Sequence, residues 1–128
     1  MAEQEYDLIV VGSGAGAMLG AIRAQEQGLK TLVVEKTELF GGTSALSGGG
    51  IWIPLNYDQK TAGIKDDLET AFGYMKRCVR GMVTDDRVLA YVETASKMAE
   101  YLRQIGIPYR AMAKYADYYP HIEGSRPG

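Results

Sequence analysis

A glycine-rich turn set between two short apolar runs, with an acidic residue closing the second, restricts this chain more than any other feature. Tyr6 to Val11 is apolar and rich in β-branched residues, so it reads as a buried parallel strand. Gly12-Ser13-Gly14-Ala15-Gly16-Ala17 comes next, and Gly12-x-Gly14 makes a tight turn. Residues from Ala15 to about Gln27 have helical character, and Gly28 is a natural C-terminal cap. Leu29 to Val34 gives a second strand, and Glu35 stands at its end, 23 positions after Gly12. Strand, turn, helix, strand and acid together form a βαβ dinucleotide-binding unit of Rossmann-like type. The glycines let a pyrophosphate approach the backbone, and the helix N-terminus offers free N–H groups at the positive end of its dipole. Glu35 is placed to accept hydrogen bonds from adenosine ribose hydroxyls, and its charge disfavours a 2′-phosphate. Ala17 stands at the third glycine position, a tolerated variant. The bland alternative is a glycine-rich turn that binds nothing, and the complete strand–helix–strand context weighs against it.

The remaining bulk properties mostly exclude. With 128 residues the chain can build one small domain around its own core. A net charge of −2 leaves no electrostatic footprint for nucleic acid. One cysteine, Cys78, and one histidine, His121, cannot make an internal disulfide or a Cys/His metal cluster, so no metal is expected. Cys78 reads as a partly buried helix residue. The N-terminus is acidic and runs directly into a strand, unlike a signal peptide, and no apolar run approaches the roughly 18 residues a membrane span needs. A cytoplasmic protein is the expectation.

Many of the 16 glycines fall in a second cluster, Phe40-Gly-Gly-Thr-Ser-Ala-Leu-Ser-Gly-Gly-Gly-Ile-Trp-Ile-Pro54. Hydroxyls alternate with glycines here, so the segment can lie flat against a planar ring while presenting N–H and O–H donors. A flexible Gly/Ser linker is the competing reading. Ile51, Trp52 and Ile53 argue against it by resuming at once as an apolar strand. Pro54 to Lys65 reads as polar and irregular. Asp66 looks like an N-cap. Leu68, Ala71, Phe72, Met75 and Val79 then mark an amphipathic helix closed by Gly81. Thr84 caps a second helix, whose first turn holds Asp85 and Asp86 and whose stripe is Val88, Val92, Ala95, Ala99 and Leu102. Gly106 ends it. Finally, Tyr115, Tyr118 and Tyr119 cluster beside Pro120 without strand alternation. Either they line a pocket in a loop, where a hydroxyl can move a proton, or they pack with hydroxyls toward solvent. The residues alone lean to packing.

Three segments together carry a family resemblance: Val-Val-Gly-Ser-Gly-Ala-Gly-Ala, Phe-Gly-Gly-Thr-Ser-Ala-Leu-Ser-Gly-Gly-Gly-Ile-Trp-Ile-Pro and Tyr-Ala-Asp-Tyr-Tyr-Pro. The chain resembles the 3-ketosteroid Δ1-dehydrogenases, FAD enzymes related to the fumarate reductase flavoproteins, with a flavour closest to enzymes acting on cholest-4-en-3-one. The resemblance implies FAD as cofactor, held by Gly12, Ser13, Gly14, Ala15 and Gly16, by Glu35 with Lys36, and by Gly42, Thr43, Ser44, Ser47, Gly49 and Gly50. It implies loss of two hydrogens across C1–C2 of a 3-ketosteroid: a tyrosine base takes the C2 proton and flavin N5 takes the C1 hydride. Tyr118, first tyrosine of the Asp-Tyr-Tyr motif, is implied to assist that base, and Tyr115 is a less supported pocket neighbour. A quinone or another carrier is the implied electron acceptor, and peripheral membrane contact is an expectation because sterols partition into lipid.

Members of that family are several times longer. Residues 1–128 are therefore expected to be the N-terminal portion of the FAD-binding domain of a larger two-domain α/β flavoprotein. The βαβ unit is followed by an α-helical segment, and the base, the carbonyl-polarising pair and the substrate domain lie downstream. Activity is expected only of the longer protein. Alternatives are a Δ4-3-ketosteroid dehydrogenase, a fumarate reductase-like flavoprotein, and a non-catalytic FAD-binding module.

Overall fold

The computed structural model describes residues 4–115 and 117–127 and divides into two compact units, residues 1–50 and 51–128. In the first, β1 (Leu8–Val11), α1 (Ala15–Glu26) and β2 (Thr31–Val34) form the expected βαβ unit. The strands run parallel, with Leu8 opposite Thr31 and Val11 opposite Val34, and α1 packs on both through a face that buries Ala21 and Ala24. Both strands are shorter than expected, because the register opens with Asp7 and Lys30. The Asp7 carboxylate accepts the Lys30 amide (2.8 Å), and the Asp7 amide bonds to the Lys30 carbonyl (2.9 Å). The expectation of a buried strand fails for β1. Val11 is 82% exposed and Ile9 57%, since α1 covers one face of the pair and β2 is the only other strand among the described residues. The second glycine cluster does not lie flat either. Its first part coils into a short helix, α2 (Gly42–Leu46).

The second unit holds α3 (Tyr57–Thr61), α4 (Leu68–Val79) and α5 (Asp85–Gln104), with α4 packed on α5. All five apolar stripe residues of α5 are buried, Val92 completely. The tyrosine at position 74 was not among the expected stripe residues of α4, yet it is 2% exposed, its ring 5.3 Å from that of Trp52. Cys78 is half-buried on α4, as expected. The N-cap is Asp67, one residue later than expected. Its carboxylate accepts the Thr70 amide at 2.8 Å.

Two expectations fail between residues 51 and 65. No strand forms at Ile51–Ile53. The Trp52 carbonyl accepts the Tyr91 hydroxyl (2.6 Å) instead of a ladder amide, while Ile53 packs with Ala95 and Ala99. The polar stretch after Pro54 is not irregular, because α3 starts there on a capping box. Asn56 Oδ1 accepts the Gln59 amide at 2.8 Å, and the Gln59 side chain accepts the Asn56 amide. Asn-x-x-Gln was the available signal.

Candidate functional site

All the candidate cofactor residues lie in the 1–50 unit, where β2 delivers Glu35 beside the glycine turn. Glu35 Oε2 accepts the Ser13 amide (3.1 Å) and the Ser13 hydroxyl (2.5 Å). Oε1 accepts the amides of Lys36 (2.8 Å) and Thr37 (3.2 Å). These donors, the Ser13 hydroxyl foremost, bring the carboxyl from 4.5 down to about 2. Near neutral pH the site therefore presents a fixed anion with an assigned orientation. As pH falls, the unfolded chain takes up this proton near 4.5 and the folded chain only near 2. Glu35 thus stabilises the fold above about pH 4.5, and the contribution drains away toward pH 2. Thermal melts over that range should lose midpoint more steeply for the parent protein than for Glu35→Gln. Parallel acid limbs would refute the assignment.

A second set of bonds joins the two glycine clusters. The Ser13 hydroxyl accepts the Gly41 amide (2.7 Å), and the Ser44 hydroxyl accepts the Ala15 amide (3.1 Å). Ser13 reaches forward and Ser44 reaches back. Ser47 shapes the exit from α2, donating its hydroxyl to the Ser44 carbonyl (2.8 Å) and accepting the Gly49 amide (3.1 Å). Thr43, Gly42, Gly49 and Gly50 are exposed along this loop, and Lys36 is exposed beside Glu35.

The helix end fits an anionic group. Gly14 caps α1 without a side-chain bond, and the first turn holds no acidic residue. Nothing stands within 4 Å of where a side chain would project from Gly12 or Gly16, so a ligand can come close to the backbone there, although the Gly12 amide donates to the Val34 carbonyl (2.7 Å) and the Ala15 amide to Ser44. An open backbone at a helix N-terminus suits a pyrophosphate, and an ionised carboxylate 23 residues on suits the ribose attached to it. These residues therefore fit the adenosine diphosphate end of FAD. Ser13 differs from the expected contact: it is 4% exposed and its hydroxyl is engaged by Glu35 and Gly41. Sequence reading missed Thr37, whose amide and hydroxyl both donate to Glu35 Oε1, and Gly41, whose part is played by a backbone amide that no side-chain pattern announces.

The tyrosines belong to the 51–128 unit, in a loop without helix or strand, as expected. Asp117 Oδ1 accepts the Tyr118 amide at 2.6 Å, which holds the Asp-Tyr-Tyr turn. Tyr115 edges an open depression with Arg110 and Met112. Tyr118 does not line that depression. Its side chain is 94% exposed, with no element of the unit packed over it.

Known proteins share this fold. A family model described as FAD binding domain matches residues 7–125. The chain belongs to this FAD-binding domain family. Across its whole length the domain is 96% identical to a 3-oxosteroid 1-dehydrogenase of Comamonas testosteroni, covering 22% of that protein, and 41% identical to one of Mycobacterium tuberculosis, covering 23%. It superposes on the crystal structure of 3-ketosteroid delta1-dehydrogenase from Sterolibacterium denitrificans, in complex with 1,4-androstadiene-3,17-dione, with a TM-score of 0.87 and 50% identity. That match covers 96% of this chain and 22% of the Sterolibacterium chain. The chain thus spans about a fifth of the length of the relatives it matches. No described helix is long and apolar enough to cross a membrane.

Proposed function

We propose that this chain is the N-terminal portion of the FAD-binding domain of an FAD-dependent 3-ketosteroid dehydrogenase that desaturates C1–C2 of the steroid A ring. The observation that carries the reading is the 96% identity, over every residue of the chain, to a protein named for that reaction. The ionised, hydrogen-bonded Glu35 beside an open helix N-terminus supports the cofactor half of it.

In this reading Gly12, Gly14, Ala15 and Gly16 receive the pyrophosphate at the positive end of α1. Glu35, whose oxygens already carry the Ser13, Lys36 and Thr37 donors, shares its acceptor positions with the ribose hydroxyls, and the loop from Gly42 to Gly50 runs along the remainder of the cofactor. FAD, when bound, supplies the acceptor for the hydride leaving C1. Tyr118 shares the charge of a tyrosine base contributed by a part of the enzyme outside these residues, and Tyr115 borders the substrate. The reduced enzyme passes its electrons to a quinone or similar carrier, the enzyme works in the cytoplasm, and its sterol substrate brings it to the membrane surface.

The test is anaerobic titration of the full-length protein with a 3-keto-4-ene steroid while the oxidised flavin band is monitored. Bleaching, with a product two hydrogens lighter and a new C1–C2 double bond by NMR, is the expected result. No bleaching by the 4-ene steroid, with bleaching by the 4,5-saturated 3-ketone and a new C4–C5 double bond, would replace this reading with a Δ4 enzyme, and no bleaching by either steroid, with chemically reduced flavin reoxidised by fumarate, would replace it with a fumarate-type one.

A further inference from the structure

Among the described residues, the Ser13 hydroxyl is the side-chain group that bonds both Glu35 and the second glycine loop. It lies at the rim of the cofactor site, yet it is 4% exposed. A hydroxyl has one proton to give and lone pairs to receive with. Here the proton goes to Glu35 Oε2 at 2.5 Å, and a lone pair takes the Gly41 amide at 2.7 Å. The proton is committed, and the remaining lone pair sits on a residue too buried to meet a ligand readily. The Ser13 amide adds a second bond to the same carboxylate oxygen at 3.1 Å, so the turn grips that oxygen with two donors from one residue. The second oxygen is held by Lys36 and Thr37, both of which directly succeed Glu35 in the chain and move with it. Ser13 is therefore what ties the carboxylate to α1 and to the pyrophosphate end of the site.

We propose that Ser13 is a positioning residue for cofactor binding: it acts through Glu35, aiming the carboxylate at the adenosine ribose, rather than through any contact with the cofactor. The inference rests on the reading of Glu35 as the ribose-binding residue. The low proton affinity of Glu35, whose foremost cause is the Ser13 hydroxyl, agrees with it. Hydrogen bonds to charged groups are strong enough that losing one changes an equilibrium about tenfold or more.

The experiment uses the full-length enzyme stripped of flavin, in four forms: parent, Ser13→Ala, Glu35→Ala and the double variant. FAD dissociation constants are read from quenching of flavin fluorescence. Ser13→Ala should weaken FAD about tenfold in the parent and less than about twofold in the Glu35→Ala background, because the residue then has nothing to aim. Equal losses in both backgrounds would mean a direct or purely structural role. Unchanged or tighter binding would mean that the hydroxyl competes with the ribose. Either result overturns the proposal. If Glu35→Ala itself leaves FAD affinity intact, the ribose reading has failed, which is a separate outcome from failure of Ser13 alone. A second readout is the pH profile of FAD affinity on the acid side. In Ser13→Ala the fall-off should begin at higher pH, and an unmoved profile counts against the coupling. Should the alanine variant fold poorly, Ser13→Cys keeps a donor-bearing side chain of similar shape, replaces a strong donor by a weak one, and should move the profile in the same direction.

Discussion

Replacing Tyr118 by Phe in the full-length enzyme should lower steroid turnover by about a hundredfold or more, with FAD affinity and the melting midpoint unchanged. A phenol with an ordinary pKa near 10 is a poor base at neutral pH. It becomes a useful one when a second phenol shares the developing charge, since a hydrogen bond to the anionic form favours it. The substitution removes one oxygen and keeps the ring. The Tyr118 amide bond to Asp117, which holds the turn, does not involve the phenol oxygen and survives the change. The loss should fall on kcat and hardly on KM. Steady-state rates with a 3-keto-4-ene steroid check this, and a variant with full turnover would falsify the assisting role.

Gly41→Ala is the second change with a large expected effect. Gly41 has φ +107°, and a Cβ there would stand 2.6 Å from the Ala45 Cβ, a distance real carbons do not adopt. The left-handed backbone alone costs about 1–2 kcal/mol for a residue with a side chain. The clash then has to be relieved by moving the start of α2. That movement breaks the Gly41 amide bond to Ser13 and loosens the bond from the Ala45 amide to the Gly41 carbonyl (3.2 Å). FAD affinity should therefore fall about tenfold or more along with stability. Gly28→Ala is the control: φ is +84° and nothing lies within 4 Å, so it carries strain without a clash. It should lower the melting midpoint and leave FAD affinity as it was. Indistinguishable FAD binding by the two variants would rule out the link between the loop and the site.

The βαβ unit was legible because its signals are local. Apolar runs, two glycines and an acid at the right remove each constrain the backbone where they stand. The two long helices were legible for the same reason, and the α5 stripe is buried residue for residue. Ile51 to Ile53 misled because a short apolar run is equally at home in a strand or packed under helices, and partners distant in sequence decide which. Helix α3 was overlooked although Asn56 and Gln59 announced it. At the site, Glu35 could be read and the turn of the Ser13 hydroxyl toward it could not. A pairing across 22 residues has no periodicity, and Ser at that position is equally suited to a ligand.

The crossed serines also constrain how such a protein can be rebuilt from its relatives. Ser13 has its partners at positions 35 and 41, and Ser44 has its partner at 15. A chimera spliced anywhere within α1 or β2 would draw the two halves of these bonds from different parents. Splices before Gly12 or beyond Gly50 leave every one of them within a single parent. For recombination, residues 12–50 are one inheritable block, although much of it is a helix and a strand that look exchangeable by themselves.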